Sequence, residues 1–252
     1  MAALRVEKSR DVLRITLARP GQRNAFDAAL IQELTEAFSD VDEVRAVVLA
    51  GEGSSFCAGA DVEWQRASID LTFEENVEDA LRLHRMLAAV EACPAPVVAR
   101  VQGYALGGGS GLVACADVVV AAADSTFGFS EVRLGIIPAV ISPFVFAKIG
   151  AGAARALFLT GQWFDAAAAL RIGLVHEVSG DLDDAVARIV GEILQSGPEA
   201  TRAAKRLTRE RPTDATELAR IAAQLRTSDE GQEGLRAFLE KRDAAWKSRS
   251  SS

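Results

Sequence analysis

A run of glycines, Gly103-Tyr104-Ala105-Leu106-Gly107-Gly108-Gly109-Ser110-Gly111, enters an apolar segment, and a lone carboxylate follows in Phe127-Gly128-Phe129-Ser130-Glu131. Glycine has no Cβ, so its backbone N–H can come close to a ligand. At a helix start those N–H groups have no partner inside the helix and lie at its partial positive pole. Such donors suit an oxygen that gains negative charge during a reaction, and a nearby glutamate adds acid/base capacity.

The elements that must hold these residues follow from hydrophobic spacing. Val12-Leu13-Arg14-Ile15-Thr16-Leu17 reads as a strand ended by Arg19-Pro20-Gly21. Asp27 reads as the N-cap of a helix to Ser39, with Leu30, Leu34 and Phe38 on one face. Residues 45–50, 96–101 and 117–122 are apolar runs of the kind found in strands buried on both faces. Gly51 to Gly59 is a Gly/Ser-rich loop, and Thr72 with Glu75 forms a capping box for a long helix ending near Cys93-Pro94. A short helix is expected from Leu112 to Ala116, after the glycines. Past Asp165 the chain reads as helical over 166–171, briefly extended at Leu174-Val175, then helical over 181–195, 198–210, 214–227 and 230–247, with a Ser-rich tail at 248–252. Strands alternating with helices make the class α/β.

Bulk properties limit the functions open to it. The 252 residues are 49% hydrophobic and 25% charged, enough for a sizeable core. The formal net charge of −7 argues against nonspecific binding to nucleic acid or to an anionic membrane. Cys57, Cys93 and Cys115 are widely spaced and read as buried reduced thiols, and no metal site is expected. His84 and His176 read as structural or surface residues. The N-terminal residues show no signal core and no apolar run is long and charge-free enough to span a bilayer, so the expected location is cytoplasmic.

Taken in order, Asn24-Ala25, Phe56-Cys57-Ala58-Gly59-Ala60-Asp61-Val62, the glycine cluster from Gly103 to Gly109, Ala116-Asp117, Phe127-Gly128, Glu131 and Gly135-Ile136-Ile137-Pro138 resemble the enoyl-CoA hydratase/isomerase (crotonase) family over nearly the whole chain. The resemblance implies a spiral core of repeated ββα units over 1–195 and a C-terminal helical trimerisation region over 196–252, assembled as a homotrimer or a dimer of trimers. It implies an acyl-CoA thioester as ligand, with coenzyme A arriving as part of the substrate and no separate cofactor. The N–H groups of Ala60 and Gly108 would polarise the thioester carbonyl, and two such donors contribute on the order of 5–8 kcal/mol. Ala25 and Phe26 would line the pantetheine entrance. Ala58, Asp61 and Val62 would bracket the adenine and the thioester loop, and Lys241 would approach the phosphates of a neighbouring subunit's ligand. Gly107, Gly111 and Pro138 complete the implied binding set.

Hydratases of this family generally carry two glutamates, one directly after the glycine cluster and one in the later Phe-Gly-x-x-Glu segment. Here the first position is Gly111 and the second is Glu131. Taken alone, that departure favours an isomerase that moves a double bond with one proton shuttle. The segment from Ser130 to Pro143 resembles instead a subgroup that hydrates branched 3-methyl acyl-CoAs of leucine or acyclic-terpene breakdown: the methylglutaconyl-CoA hydratase type, or in reverse a 3-hydroxy-3-methylglutaryl-CoA dehydratase. At a tertiary carbon one glutamate can serve both proton transfers, and Gly111 is expected to open space for the branch. The leading reading is therefore a lyase, with the isomerase and a catalytically silent acyl-CoA-binding scaffold as alternatives. A distal carboxylate on the substrate would need a cation, with Arg133, Lys148 and Arg66 as candidates.

Overall fold

The computed structural model describes residues 3–39, 41 and 43–247; the Ser-rich tail lies outside them. Its main sheet has six strands in the order β1 (Leu4–Ser9), β2 (Val12–Leu17), β3 (Ala46–Gly51), β4 (Val97–Val101), β6 (Val118–Ala122) and β9 (Glu177–Ser179). Only β1–β2 is antiparallel. β3 is buried at all six positions, as a parallel strand covered on both faces must be. A second sheet joins β5 (Tyr104–Leu106), β7 (Thr126–Gly128) and β8 (Trp163–Asp165), and single parallel bridges Phe26–Ala60 and Cys57–Ala105 extend its line.

The spiral follows from this pairing. Each turn runs along the main sheet, contributes a short extended piece to the second line, and returns by helix. β2, Phe26 and α1 (Ala28–Ser39) make one turn; β3, Cys57 and α2 (Val62–Ser68) with α3 (Phe73–Ala92) the next. β4, β5 and α4 (Gly108–Cys115) follow, then β6, β7 and α5 (Ser142–Thr160). Asp27 Oδ1 accepts from Leu30 N at 2.8 Å, and both halves of the Thr72–Glu75 capping box are made.

Several expectations change. α4 starts within the glycines, at Gly108 and not at Leu112. The extended piece after α6 (Ala166–Arg171) lies at 177–179, beyond Leu174-Val175. After α7 (Leu182–Gln195), α8 (Pro198–Glu210) and α9 (Ala215–Thr227), helix α10 (Asp229–Glu240) stops well before Lys247, because Lys241 turns left-handed at φ 57°. α5 is long and apolar enough by length and composition to cross a bilayer, contrary to expectation. It is not one straight rod, however: Gly150, at φ 74° and ψ 157°, breaks it, and Phe144, Val145, Ile149, Ala154 and Leu157 are buried in the core.

Candidate active site

The loop between β3 and α2 is fixed from below by a buried asparagine. Asn24 Nδ2 donates to Glu52 O at 2.9 Å and Ser55 O at 2.8 Å, and its Oδ1 accepts from Arg19 N at 2.9 Å. Phe26 N donates to Gly59 O at 2.7 Å, and Asp61 N donates to Phe26 O at 2.8 Å. In a parallel bridge of this register the N–H of the intervening residue faces away from the partner strand. That residue is Ala60, which lines a cleft of about 350 Å³.

α4 brings the second amide to the same cleft. Gly107 sits at φ 51° and ψ −120°, a backbone region open essentially to glycine alone. Its N–H is taken by Gly128 O at 2.8 Å, and Gly111 N closes the first turn on Gly107 O at 3.0 Å. Gly108 is the first residue of the helix, where an N–H has no intrahelical acceptor. The start of the helix presses closely on the preceding turn: a Cβ on Gly109 would collide with Cys57 O, and one on Gly108 would stand 3.1 Å from Phe26 Cε2.

Glu131 opens a 3-10 turn, Glu131–Leu134, just past β7. Its Oε1 lies 3.3 Å from where a Cβ of Gly107 would be, so the carboxyl adjoins the Gly107–Gly108 peptide. Its Oε2 is buried with no hydrogen-bond partner among the described residues. Burial raises the pKa of this carboxyl above the usual carboxylate value, opposed in part by a hydrogen bond from its own backbone N–H. A proton-retentive carboxyl beside two amides that find no acceptor among the described residues can exchange a proton with a bound molecule whose oxygen those amides hold.

The other end of α4 is clamped. Lys148 Nζ, from α5, donates to Ala116 O at 2.6 Å and to Asp117 O at 3.4 Å, where the C-terminal carbonyls carry partial negative charge. Burial lowers the Lys148 pKa to about 8. Beside it Lys205 Nζ meets Asp117 Oδ2 at 2.6 Å, and His176 Nδ1 accepts from Val119 N at 2.9 Å. Burial first, and Lys148 second, lower His176 to about 4. The three cysteines are free and buried, with Cys57 pushed up to about 12 by burial.

Of the residues singled out in the sequence, the cleft brings together Phe26, Ala58, Ala60, Gly107, Gly108, Glu131 and Pro138. Ala25, Asp61, Val62, Gly111 and Lys241 are not in its lining. Ala25 O and the Asp61 carboxylate are held by Arg19, and Asp61 also N-caps α2. Val62 is exposed, and Lys241 ends α10 on the surface. Gly111 does not open space: Ile141 Cγ2 lies 2.5 Å from where its Cβ would be, so the place of the family's first carboxylate is filled by an apolar side chain. Nor does a distal cation appear among the described residues of the lining, which does not include Arg133. Arg66 pairs with Glu63, Lys148 is committed to backbone, and the lining holds no lysine, arginine or histidine.

Sequence reasoning missed the walls. Trp64, Leu83, Ile136, Ile137 and Ile141 make the cleft largely apolar. One signal was present in the sequence: Leu134, Ile136 and Ile137 crowd a short stretch, and the structure leaves them at the cleft with exposures of 57% or more.

A spiral of ββα turns thus brings Ala60, Gly108 and the Glu131 carboxyl to one cleft. The family model for enoyl-CoA hydratase/isomerase matches residues 7–249, and the chain belongs to that family. It is 31% identical over 256 residues to a cyclohexa-1,5-dienecarbonyl-CoA hydratase of Thauera aromatica, covering 97% of this chain and 96% of that one. Among solved structures, Pseudomonas aeruginosa AtuE superposes with a TM-score of 0.93 at 37% identity, covering 97% and 99% of the two chains. An enoyl-CoA hydratase from Shewanella pealeana gives 0.90 at 36%, covering 97% and 96%.

Proposed function

We propose that this chain catalyses the reversible addition of water to the conjugated double bond of a branched 2-enoyl-CoA. The observation that carries the reading is the Glu131 carboxyl, whose Oε2 is buried without a partner among the described residues, in one cleft with Ala60 and Gly108, whose backbone amides have no acceptor among those residues. The thioester oxygen accepts from both amides. Glu131 takes a proton from water as the water oxygen bonds to Cβ, and the π electrons pass through Cα to the carbonyl as an enolate. The protonated Glu131 then delivers that proton to Cα, the carbonyl re-forms, and the carboxylate is restored. With Ile141 filling the other carboxylate position, one group performs both transfers.

The Ser130–Pro143 segment and the apolar walls support a branched acyl chain. Within that class 3-methylglutaconyl-CoA is the weaker candidate, because its second carboxylate meets no cation in the described lining. The reading includes assembly through the C-terminal helices, where Phe238 and Leu239 stand more than three-quarters exposed. The apolar contact at Gly111 also favours a second reading, a Δ3/Δ2 isomerase in which Glu131 moves a proton between Cα and Cγ. Loss of the conjugated-thioester absorbance with uptake of oxygen-18 from labelled water establishes hydration; a double-bond shift without label uptake establishes isomerisation. In either case Glu131→Gln should lower turnover at least ~100-fold with little change in acyl-CoA binding. Full activity in that variant would remove Glu131 from the chemistry, and an inert wild-type protein that still binds acyl-CoA would establish the scaffold.

A further inference from the structure

The wall of the cleft formed by α2 and α3 differs from the rest. Trp64, Gln65 and Ser68 of α2 meet Asn76 and Asp79 of α3 there, a polar group in a lining that is apolar elsewhere except at Ser130 and Glu131. Asp79 is only 14% exposed at its side chain, and one oxygen is committed: Oδ1 accepts from Arg82 at 2.8 Å and from Trp64 Nε1 at 3.4 Å. Oδ2 has no partner among the described residues. Asn76 spends its Nδ2 on Leu71 O at 3.1 Å and Thr72 O at 3.0 Å, which leaves its Oδ1 open. Gln65 adds one amide donor group and one acceptor with no partner among the described residues, so the unspent groups on this wall are mainly acceptors, one of them a carboxylate oxygen, against a single neutral donor group.

Resting on the reading of the cleft as an acyl site, we propose that Asp79 centres an accepting subsite. It favours acyl chains that end in a hydrogen-bond donor such as a hydroxyl, and it rejects chains that end in a carboxylate. A hydroxyl can donate to Asp79 Oδ2 or Asn76 Oδ1. A second carboxylate would be held near Asp79 and Glu131, the two acidic side chains of the lining, with no cation of the lining between them. The Arg82 guanidinium offsets only part of that repulsion, because it is half exposed and bonded to Oδ1.

The test uses the unreactive saturated thioesters hexanoyl-, ω-hydroxyhexanoyl- and adipyl-CoA, with their butanoyl and octanoyl counterparts, titrated calorimetrically into wild-type protein and Asp79→Asn. The hydroxylated ligand should bind at least as tightly as the methyl-terminated one at the best-fitting length. The carboxylated ligand should bind about tenfold or more weakly. Asp79→Asn, which keeps an acceptor for Trp64, should remove most of that penalty, read as the ratio of carboxyl- to methyl-terminated affinity within the same protein. Equal affinity for carboxyl- and methyl-terminated chains at every length would overturn the subsite, as would a penalty that survives in Asp79→Asn. Turnover does not enter this readout, so an inactive protein leaves the test intact; failure of every acyl-CoA to bind overturns the cleft reading and the subsite together.

Discussion

Gly111→Ala is a small change with a large expected consequence. The position is inside α4 at ordinary helical dihedrals, so alanine alone would favour the helix by ~0.5–1 kcal/mol. The added Cβ, however, would stand 2.5 Å from Ile141 Cγ2 and 2.9 Å from Ile141 Cβ. Apolar carbons settle at ~3.5–4.0 Å. Ile141 is 2% exposed and stands between α4 and the cleft, so it must retreat into the cleft or push the helix away. Overpacking costs ~1–3 kcal/mol, and an overlap of this depth belongs in the upper half of that range, about 2–3 kcal/mol. The steric loss exceeds the helical gain, leaving a net destabilisation of ~1–2 kcal/mol and a melting point lower by roughly 2–8 °C for a chain of this size. Urea and thermal unfolding measure it directly. On an Ile141→Ala background the closest contact is gone, and the same substitution should cost about 1 kcal/mol less. If Gly111→Ala is as stable as wild type, or costs the same on both backgrounds, the contact does not govern this position. A glutamate at 111 would likewise need Ile141 shortened with it.

Gly107→Ala should be worse for activity than for stability. Its dihedrals cost a side chain ~1–3 kcal/mol, and its Cβ would stand 3.3 Å from Glu131 Oε1. Displacing the neighbouring amide should lower turnover ~100-fold or more, read by steady-state kinetics against chemical unfolding of the same variant. His176 gives a pH test. Its folded pKa of about 4 lies below the ordinary 6.5, so the unfolded chain binds the extra proton between those values. Its contribution is present above pH 6.5, falls as pH drops below it, and is fully lost only below about 4. His176→Gln should flatten that stretch of the stability curve, and an unchanged curve would exclude His176 as its source. Glu131 has the opposite sign. Its raised pKa makes the fold less stable as pH climbs past the usual carboxylate value, so Glu131→Gln should hold or raise the melting point at neutral pH while abolishing turnover.

The long buried elements were legible because their patterns are strong. β2, β3, β4 and β6 announce themselves as β-branched runs, and Thr72 with Glu75 marks the start of α3. The three-residue strands β5, β7 and β8 are too short to show a period, and the bridges at Phe26 and Cys57 are single residues held by register with distant chain. β1 hides because only Leu4 of its six residues is buried, and α5 because Pro143, Gly150 and Gly152 interrupt its sequence. Within the site, Glu131 and the amide-bearing loops were readable from residue type and motif. The meaning of Gly111 was not, because it depends on Ile141, thirty residues away, and no local pattern records which side chain will fill a missing one. The acceptor wall was hidden for the same reason: Trp64 and Asp79 belong to different helices.

The Lys148 ammonium on Ala116 O has a consequence at the far end of the rod it terminates. With one tip wedged against Phe26 and Cys57 and the other stapled by a cation, α4 has little room to slide or roll. On the proposed function, a visiting carbonyl would therefore meet dipoles already fixed by the fold, with little reorganisation left to the encounter.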